Sequence, residues 1–492
     1  MAKKKTSVGN GASFSARVRM YNQGLGDCFL LTFPKADGTP FYVLIDCGVI
    51  MGTPEAKIRM EAVLADLHET TGGHIDLVVG THEHWDHLSS FYDRQAQWDT
   101  FTFGSVWLGW TEDLDDKAAQ AMIDERKKKL AVLAKSAKQL KLRLGATPVV
   151  SETEDILSFF GIDLDDAETL PEIPQEGMML GAAPKQGGKD KIGQAMQYLR
   201  DCDATYCRPG EVLRMPEVPG VQVFVLGPPT DPKQMKRDLP RKSEEGTATY
   251  HLNAYRRMGR LADPDDDSDV PFDPKYCISE QDAETHPFFA ELYFDEDNHW
   301  RRIDNSWAGD LPQMALKLDS DTNNTSLALA FRLADGRVLL FPGDAQIGNW
   351  ESWHADSEGQ ALTFREDELT VLEGSRPMTA ADLLGSVVVY KVGHHGSHNA
   401  THKELGLEKM ANDFLAFIPC EEFTAHDKKH WTKMPFEPIR KRLAEKNADI
   451  VQVDRPLPKR PNLRSSPKTL TAQIDLDGTD AKRPLWYECD VK

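Results

Sequence analysis

Alternating apolar and polar residues mark the start of the chain. Two such stretches, 14–21 and 28–33, are separated by a glycine-containing turn at 23–26, which predicts a β-hairpin. After a second turn, the apolar run 41–45 predicts a third strand, and Asp46 follows it directly. The chain therefore begins with three strands, and the last of them ends on a carboxylate.

The period of the pattern then changes. Residues 55–68 predict an amphipathic helix in which Ile58, Ala62, Leu64 and Ala65 favour one side. The mostly apolar run 75–79 that follows is typical of a fully buried strand. Strand, helix and strand in this order, with polar residues directly after a strand, predict an α/β fold. In such folds the chemistry lies at the carboxyl ends of the strands.

A long charged segment, 114–144, has the hydrophobic spacing of a helix. Its apolar positions are Leu130, Leu133, Ala137, Leu140 and Leu144. This stripe indicates a packing seam, so the helix either covers its own domain or forms a coiled coil with a protein partner. The segment is also rich in lysine and arginine. Its basic side is either a phosphate contact for a nucleic acid or a solvated face that balances acidic neighbours.

Strand patterns return in the second half of the chain. The elements predicted there are strands at 221–226, 326–333, 338–341, 387–392 and 450–453, a short helix at 439–445, and a last strand near 485–489. The long polar stretches between them predict insertions rather than parts of a sheet.

Composition narrows the class of protein. The 78 acidic residues exceed the 58 basic ones, for a formal net charge of −20, which argues against non-specific coating of nucleic acid but does not exclude a nuclease. The seven cysteines are scattered and contain no CxxC pair, so neither a disulfide framework nor a zinc ribbon is expected. We expect no membrane span, because no apolar run is long enough, and a cytoplasmic location.

The densest chemical signal follows the predicted strand 75–79. His82, His84, Asp86 and His87 provide four potential ligands within six positions. Imidazole and carboxylate groups suit zinc, iron or manganese. One ion held by the first two residues and another held by the last two would form a two-metal site that activates water.

The HxHxDH pattern after a buried strand resembles the metallo-β-lactamase superfamily. Other segments resemble, in the same order, the hydrolase domain of the DNA-uptake protein ComEC and its soluble relatives. These segments are Gly-Leu-Gly-Asp at 24–27, Leu-Ile-Asp-Cys-Gly at 44–48, Asn-Asn-Thr-Ser at 323–326, Phe-Pro-Gly-Asp at 341–344, Lys-Val-Gly-His-His-Gly-Ser at 391–397, and the region 438–454. The resemblance covers residues 14–110, 216–230 and 319–455, and the two insertions between them have no named counterpart.

The resemblance implies an α/β fold of the αββα sandwich type, with two mixed sheets face to face and helices outside. It also implies a division of the chain. Residues 1–110 would form the first half of the metallo-β-lactamase domain, 111–215 a helical insertion, 216–232 a strand that returns to the domain, 233–318 a second insertion, and 319–492 the second half.

The resemblance also assigns roles to later residues. It makes Asp344 the carboxylate that bridges two metal ions. One of His394 and His395 would be the last ligand, and the other would donate a proton or contact a phosphate; the spacing leaves both assignments open. Asp86, His394 and His395 are the expected catalytic residues. Asp46, Asn324 and His430 are expected to orient the ligand residues without binding the metal themselves. Asp46 could instead be a turn residue, and His430 could lie in a solvated loop.

One position departs from the superfamily pattern. Many members carry a third histidine for the first metal just before the strand at 326, whereas this chain has Asp319, Asp321, Asn323 and Asn324. With fewer imidazole ligands at that site, we expect two divalent ions that are either zinc or manganese.

We expect a metal-dependent hydrolase that acts on a phosphodiester in DNA, RNA or a nucleotide. Two alternatives remain: a hydrolase of a small ester, lactone or phosphorylated metabolite, and a component of a multi-protein system, for example in defence, that binds a protein partner through insertion 111–215. Trp85, Trp107 and Trp110 could line the substrate cleft or belong to the core. His426, like His430, could border the site or lie in a solvated loop.

Overall fold

A computed structural model describes residues 14–171, 190–237, 278, 280–295, 310–364, 377–456, 470–475 and 482–491. The chain divides into two compact units. The first comprises Met1–Asp116, Ile192–Leu239 and Thr322–Lys492, and the second comprises Lys117–Lys191 and Pro240–Asp321. Among the described residues, every strand belongs to the first unit.

The first unit contains two large mixed sheets, so the fold is of the mixed α/β class. The strands of the first sheet are β1 (Ala16–Tyr21), β2 (Cys28–Pro34), β3 (Pro40–Cys47), β5 (Leu77–Gly80), β7 (Val106–Gly109), β8 (Ala204–Cys207), β16 (Leu470–Asp475) and β17 (Lys482–Val491). They lie in the order β16-β17-β1-β2-β3-β5-β7-β8. Two short strands, β4 (His74–Ile75) and β6 (Thr102–Phe103), pair separately.

The strands of the second sheet are β9 (Val212–Arg214), β10 (Gln222–Gly227), β11 (Ala328–Arg332), β12 (Val338–Phe341), β13 (Val387–Lys391), β14 (Leu415–Ile418) and β15 (Asp449–Gln452). They lie in the order β15-β14-β13-β12-β11-β10-β9. Both sheets follow one plan. The pairs β1–β2–β3 and β10–β11–β12 are antiparallel, whereas β3–β5–β7–β8 and β12–β13–β14–β15 are parallel.

The two sheets share one hydrophobic core between their facing sides. Phe29 of β2 meets Phe341 of β12 with ring centroids 5.5 Å apart, and Phe33 stacks on Phe331 at 5.8 Å. Such rings contribute both buried area and a preferred geometry. The core therefore fixes how the carboxyl ends of the parallel strands of one sheet lie relative to those of the other.

Helices cover the outer sides of the sheets. On the first sheet, Leu44 of β3 shares a second core with Met60 and Leu64 of the helix Ala56–Thr71 and with Phe91 of the helix Trp85–Asp93. Trp350 packs against Tyr390 of the second sheet at 6.4 Å. The other helices of this unit are Gln95–Trp98, Pro232–Met235, Ile347–Ser352, Ala380–Gly385 and Glu437–Glu445, together with most of Lys191–Arg200.

The second unit is helical where it is described. Its helices are Lys117–Leu144, Pro148–Leu157, Glu280–Thr285, Pro287–Phe289 and most of Leu311–Asn323. The seam residues Leu130, Leu133, Ala137 and Leu140 are buried by this chain itself. A helix that covers its own chain therefore accounts for the seam without a partner.

Each predicted strand has a counterpart, and so do the helices predicted at 55–68, 114–144 and 439–445. The predicted strand 75–79 is divided between β4 and β5, which belong to different sheets. The predicted side of the first helix is wrong, because Ile58 is exposed whereas Met60, Val63 and Leu67 are buried. The range 111–215 differs in one respect from a purely helical insertion, because it also contributes β8 and β9 to the two sheets. Most of the predicted insertion 233–318 lies outside the described residues. Within the described part of the chain, no helix is long and apolar enough to cross a membrane.

Candidate metal centre

The residues singled out by the sequence lie where parallel strands end. The segment 81–87 follows β5, Asp344 follows β12, and His394 and His395 follow β13. Their side chains are almost completely buried: His82, His84, Asp86, His87, Asp344 and His395 have at most 1% of their surface exposed, and His394 has 7%. The α/β pattern thus brings these polar residues of the first unit to one buried place.

The local backbone is adapted to this convergence. Gly48 passes so close to the 86–87 backbone that a Cβ on it would lie 2.5 Å from the carbonyl carbon of His87. His394 and His395 both have positive φ angles, 44° and 50°, which residues other than glycine rarely adopt. Two consecutive left-handed residues turn the chain sharply after β13, and the surrounding packing must compensate their cost.

Four of these residues form the carboxylate-rich half of the site: Asp86, His87, Asp344 and His395. The Nε2 atom of His395 is 2.6 Å from Asp86 Oδ2 and 3.7 Å from Asp344 Oδ2. The Nε2 atom of His87 is 3.2 Å from Asp344 Oδ2 and 3.8 Å from Asp86 Oδ2. Both imidazoles therefore direct their Nε2 atoms at the same two carboxylate oxygens.

The Nδ1 atom of each of these two rings forms a hydrogen bond on the side away from Asp86 and Asp344. His395 Nδ1 donates to the carbonyl oxygen of Pro419 at 2.9 Å, and His87 Nδ1 donates to Asp46 Oδ2 at 2.7 Å. Asp46 also accepts from the backbone N–H and the hydroxyl of Thr81, at 2.8 and 2.7 Å. These bonds determine which ring nitrogen carries the proton, so that Nε2 remains the ligand atom in each neutral ring.

Two residues that the sequence analysis gave no role, Asp27 and Lys391, complete this half. The ammonium group of Lys391 is 1% exposed and forms an ion pair with Asp27 Oδ2. It also donates to Asp344 Oδ1 and to the carbonyl oxygen of Gly343, each at 2.8 Å. Both residues lie in segments that carry the resemblance, at 24–27 and 391–397, but nothing in their spacing indicates that they meet.

The remaining residues form the histidine-rich half: His82, His84 and His394. His82 Nε2 is 3.0 Å from His84 Nδ1, and His82 Nδ1 is 3.0 Å from the Thr81 hydroxyl. His394 Nδ1 is 2.7 Å from the Ser397 hydroxyl. Asn323, one of the residues in the place of the missing third histidine, has its amide nitrogen 3.5 Å from His394 Nε2.

The pKa values of the histidines shift in opposite directions in the two halves. Burial lowers the pKa of His84 to about 3 and that of His394 to about 4, and it also lowers the pKa of His82. Burial acts in the same direction on His87 and His395, but the nearby carboxylates, Asp344 foremost, outweigh it and raise the pKa of both rings. Neighbouring charge thus decides the direction of the pKa shift where burial is equal.

The pKa values of the carboxyl groups also depend on the balance between burial and neighbouring charge. Burial alone would raise the pKa of Asp344, but Lys391 and then His87 outweigh it and hold that pKa well below its usual value. Burial likewise opposes charge on Asp86, whose pKa is nevertheless lowered by His87 and His395. For Asp27, burial prevails over the opposing effect of Lys391 and raises the pKa.

The carboxylates and histidines around the carboxylate-rich half fit a divalent cation. Asp27, His87, Asp344 and His395 each offer one ligand atom, all within 4.8 Å of one another, and the group is buried and could bind a metal ion. Asp86 Oδ1 and Asp27 Oδ1 are both buried without a hydrogen-bond partner, a costly arrangement for a carboxylate oxygen that a nearby cation would relieve. Imidazole nitrogen with carboxylate oxygen is the ligand chemistry of zinc and manganese alike.

Three residues were expected to orient the ligand residues: Asp46, Asn324 and His430. Asp46 contacts a residue of the centre, and the other two do not. Asp46 binds His87 directly. Asn324 instead accepts from the backbone N–H groups of Gln346 and Asn349, each at 3.2 Å, and so holds the loop after Asp344. His430 is exposed, with a positive φ of 57°.

The three tryptophans and His426 contact core residues or backbone carbonyl groups. Trp85 and Trp107 belong to the two hydrophobic cores, and the Trp110 indole donates to the carbonyl oxygen of Pro228 at 3.2 Å. His426 Nε2 is 2.7 Å from the carbonyl oxygen of Met434. A core role therefore accounts for Trp85 and Trp107.

Comparison with models of known protein families and with curated proteins finds no match for this chain.

Proposed function

We propose that this chain is a metal-dependent hydrolase of the metallo-β-lactamase fold that cleaves a phosphodiester bond in a nucleic acid or nucleotide. The observation that carries the proposal is the convergence of two imidazole Nε2 atoms on Asp86 and Asp344 at the carboxyl ends of strands from two facing sheets. The order of sheets and helices supports the fold assignment, and the sequence motifs support the subgroup.

The carboxylate-rich half would hold one divalent ion through Asp86, His87, His395 and Asp344. The histidine-rich half would hold a second through His82 and His84, with Asp344 shared between them. When bound, such ions supply Lewis acidity, which makes water a nucleophile at neutral pH and stabilises charge on a phosphoryl group. Zinc and manganese both suit these ligands.

The chain itself contributes orientation and exclusion of bulk water. Asp46 and Pro419 hold the rings of His87 and His395 in the tautomer that leaves Nε2 for a ligand bond. Ser397 engages His394 Nδ1 and so orients that ring, which makes His394 the candidate to contact the substrate or its leaving oxygen. Burial of the cluster strengthens each of these electrostatic interactions.

A second candidate is hydrolysis of a small ester, lactone or phosphorylated metabolite. Its support is the charge distribution. The chain has a formal net charge of −20, and several basic groups of the helix Lys117–Leu144 are engaged by acids of its own unit. Lys127 pairs with Asp190 at 3.1 Å, and Lys141 pairs with Glu154 at 2.6 Å. These lysines are less available to a polyanion than an unpaired basic face would be.

The test is turnover by the full-length chain, after chelation and reloading with Zn²⁺ or Mn²⁺ in turn. Substrates should include single- and double-stranded DNA, RNA, cyclic nucleotides, a chromogenic phosphodiester, and a matched panel of esters and lactones. We expect metal-dependent cleavage of at least one phosphodiester. Cleavage of esters or lactones alone would favour the second candidate, and no metal-dependent turnover of any substrate would refute both.

A further inference from the structure

The ion pair between Asp27 and Lys391 lies inside the candidate metal centre, although no motif predicts it. A buried ammonium ion beside a cation site is unfavourable because like charges repel in a medium of low dielectric. Its presence therefore calls for a specific role. All three donor positions of Lys391 are used, on Asp27, Asp344 and the carbonyl oxygen of Gly343.

Asp27 and the other two carboxylates meet the histidine rings on different sides. Asp27 lies 3.7 Å from Nδ1 of His87 and 3.7 Å from Nδ1 of His395. These nitrogens point away from the place where a metal would bind, because each donates its proton to Asp46 or to Pro419. Asp27 is thus near the cluster but on its rear side.

Asp86 and Asp344 have the opposite placement. Each directs its Oδ2 atom at the Nε2 atoms of both rings, over distances from 2.6 to 3.8 Å. Asp344 Oδ1 is not available on that side, since it accepts from Lys391 at 2.8 Å and from the backbone N–H of His394 at 2.9 Å. Only one oxygen of Asp344 therefore faces the ring nitrogens that can bind a metal.

From this arrangement we infer that Asp27 is the counter-ion of Lys391 rather than a metal ligand, and that Lys391 is a positioning residue that makes Asp344 present Oδ2 alone. Asp27 neutralises an ammonium ion that would otherwise repel the metal. Lys391 in turn keeps Asp344 from binding one ion through both oxygens. The inference rests on the proposed function only in requiring that the centre bind a divalent metal.

Cobalt absorption separates a ligand from a counter-ion, because the d–d bands of Co²⁺ change with the number and kind of its ligands. Asp27→Asn should leave the band positions and intensities of the Co²⁺-loaded chain unchanged, while Co²⁺ affinity falls at least about tenfold because the buried ammonium ion loses its neutralising partner. Asp86→Asn, the same substitution at a carboxylate that faces Nε2, is the matched control and should change the bands.

Lys391→Met should also change the bands although it removes no ligand, because Asp344 Oδ1 is released toward the metal. If Asp27→Asn alters the bands as Asp86→Asn does, Asp27 is a ligand and the inference is wrong. Unchanged bands in Lys391→Met would refute the positioning role. Wild-type protein that binds no Co²⁺ would overturn the inference together with the proposed function.

A crystal structure of the Mn²⁺-loaded wild-type chain tests the same point if a variant fails to fold. We expect Asp86 and Asp344 Oδ2 at ligand distance, about 2.0–2.2 Å, with Asp27 outside that distance and still paired with Lys391. Asp27 oxygen within ligand distance of the metal, or Asp344 bound through both oxygens, would contradict the inference.

Discussion

The two halves of the centre shift the pKa of the same residue type, histidine, in opposite directions. His87 and His395, in the carboxylate-rich half, have raised pKa values, whereas His82, His84 and His394 have lowered ones. All five rings are buried, so burial cannot explain the difference. Only in the carboxylate-rich half do carboxylates outweigh the burial of the rings. Two histidines of the same motif can therefore differ in whether they release a proton when a cation binds to them.

The difference also bears on the missing third histidine. The histidine-rich half, as defined by His82, His84 and His394, consists of rings with lowered pKa values, and Asn323 lies near His394 Nε2. The carboxylate-rich half contains Asp86 and Asp344, which attract a cation strongly in a buried place. We therefore expect the carboxylate-rich half to bind its ion more tightly, and the halves to separate in a metal titration.

The largest effect should come from Asp344, which serves both halves. Asp344→Asn should lower the proposed hydrolysis about a thousandfold, because an amide cannot neutralise two cations in a buried site. It should also weaken metal binding in both halves. Turnover under saturating Mn²⁺ and a parallel metal titration provide the measurement.

The matched control for this change is Asp335→Asn, in the exposed turn between β11 and β12. It should leave both metal binding and turnover unchanged. Near-wild-type turnover in Asp344→Asn would show that the two halves do not share a carboxylate.

The second-largest expected effect is on the pH dependence of metal binding, which should differ between the two halves. Below their raised pKa values His87 and His395 are protonated, so binding at Nε2 displaces one proton from each. Affinity for the carboxylate-rich half should then rise with pH, by up to about a hundredfold per pH unit for two protons, and level off above those pKa values. Calorimetry in buffers of different ionisation enthalpy counts the protons released.

Two substitutions test this assignment. His87→Gln should remove one proton from the count, whereas His84→Gln should leave the count unchanged, because the pKa of His84, about 3, keeps that ring neutral near pH 7. Proton release that is insensitive to His87→Gln but lost in His84→Gln would reverse the comparison.

The smallest effect should come from Asp46, which acts only through its neighbours. Asp46→Asn replaces an acceptor of His87 Nδ1 by an amide that can present N–H instead, so the ring can adopt the tautomer with Nε2 protonated. Metal affinity should fall about 10–100-fold. Asp37→Asn is a suitable control, since Asp37 also accepts from a threonine hydroxyl and a backbone N–H but lies in an exposed turn. An equal loss in both variants would contradict the orienting role.

Local pattern was sufficient for much of the fold and part of the centre. The predicted strands 75–79 and 387–392 are mostly apolar runs that lead into polar segments, which is a pattern visible in the sequence. The four residues His82, His84, Asp86 and His87 lie within six positions, between the end of β5 and the first turn of the helix Trp85–Asp93, so their proximity follows from the sequence. The short strands β8 and β9 escaped prediction because most of their residues are exposed or half-buried and show no apolar period. The strands β7 and β14 are buried and apolar but only four residues long, and they were not predicted either.

The contacts between the side chains of the centre are determined by tertiary structure alone. Asp27 and Lys391 are separated by most of the chain, and they meet only because β2 and β13 belong to sheets that face each other across one core. Which nitrogen of His87 or His395 faces the carboxylates depends on Asp46 and on the Pro419 carbonyl, which no motif reveals. Sequence by itself indicated most of the residues that meet in the centre, but not Asp27 and Lys391. The directions of their pKa shifts required the structure, because a pKa depends on the distances between groups and not on the order of residues along the chain.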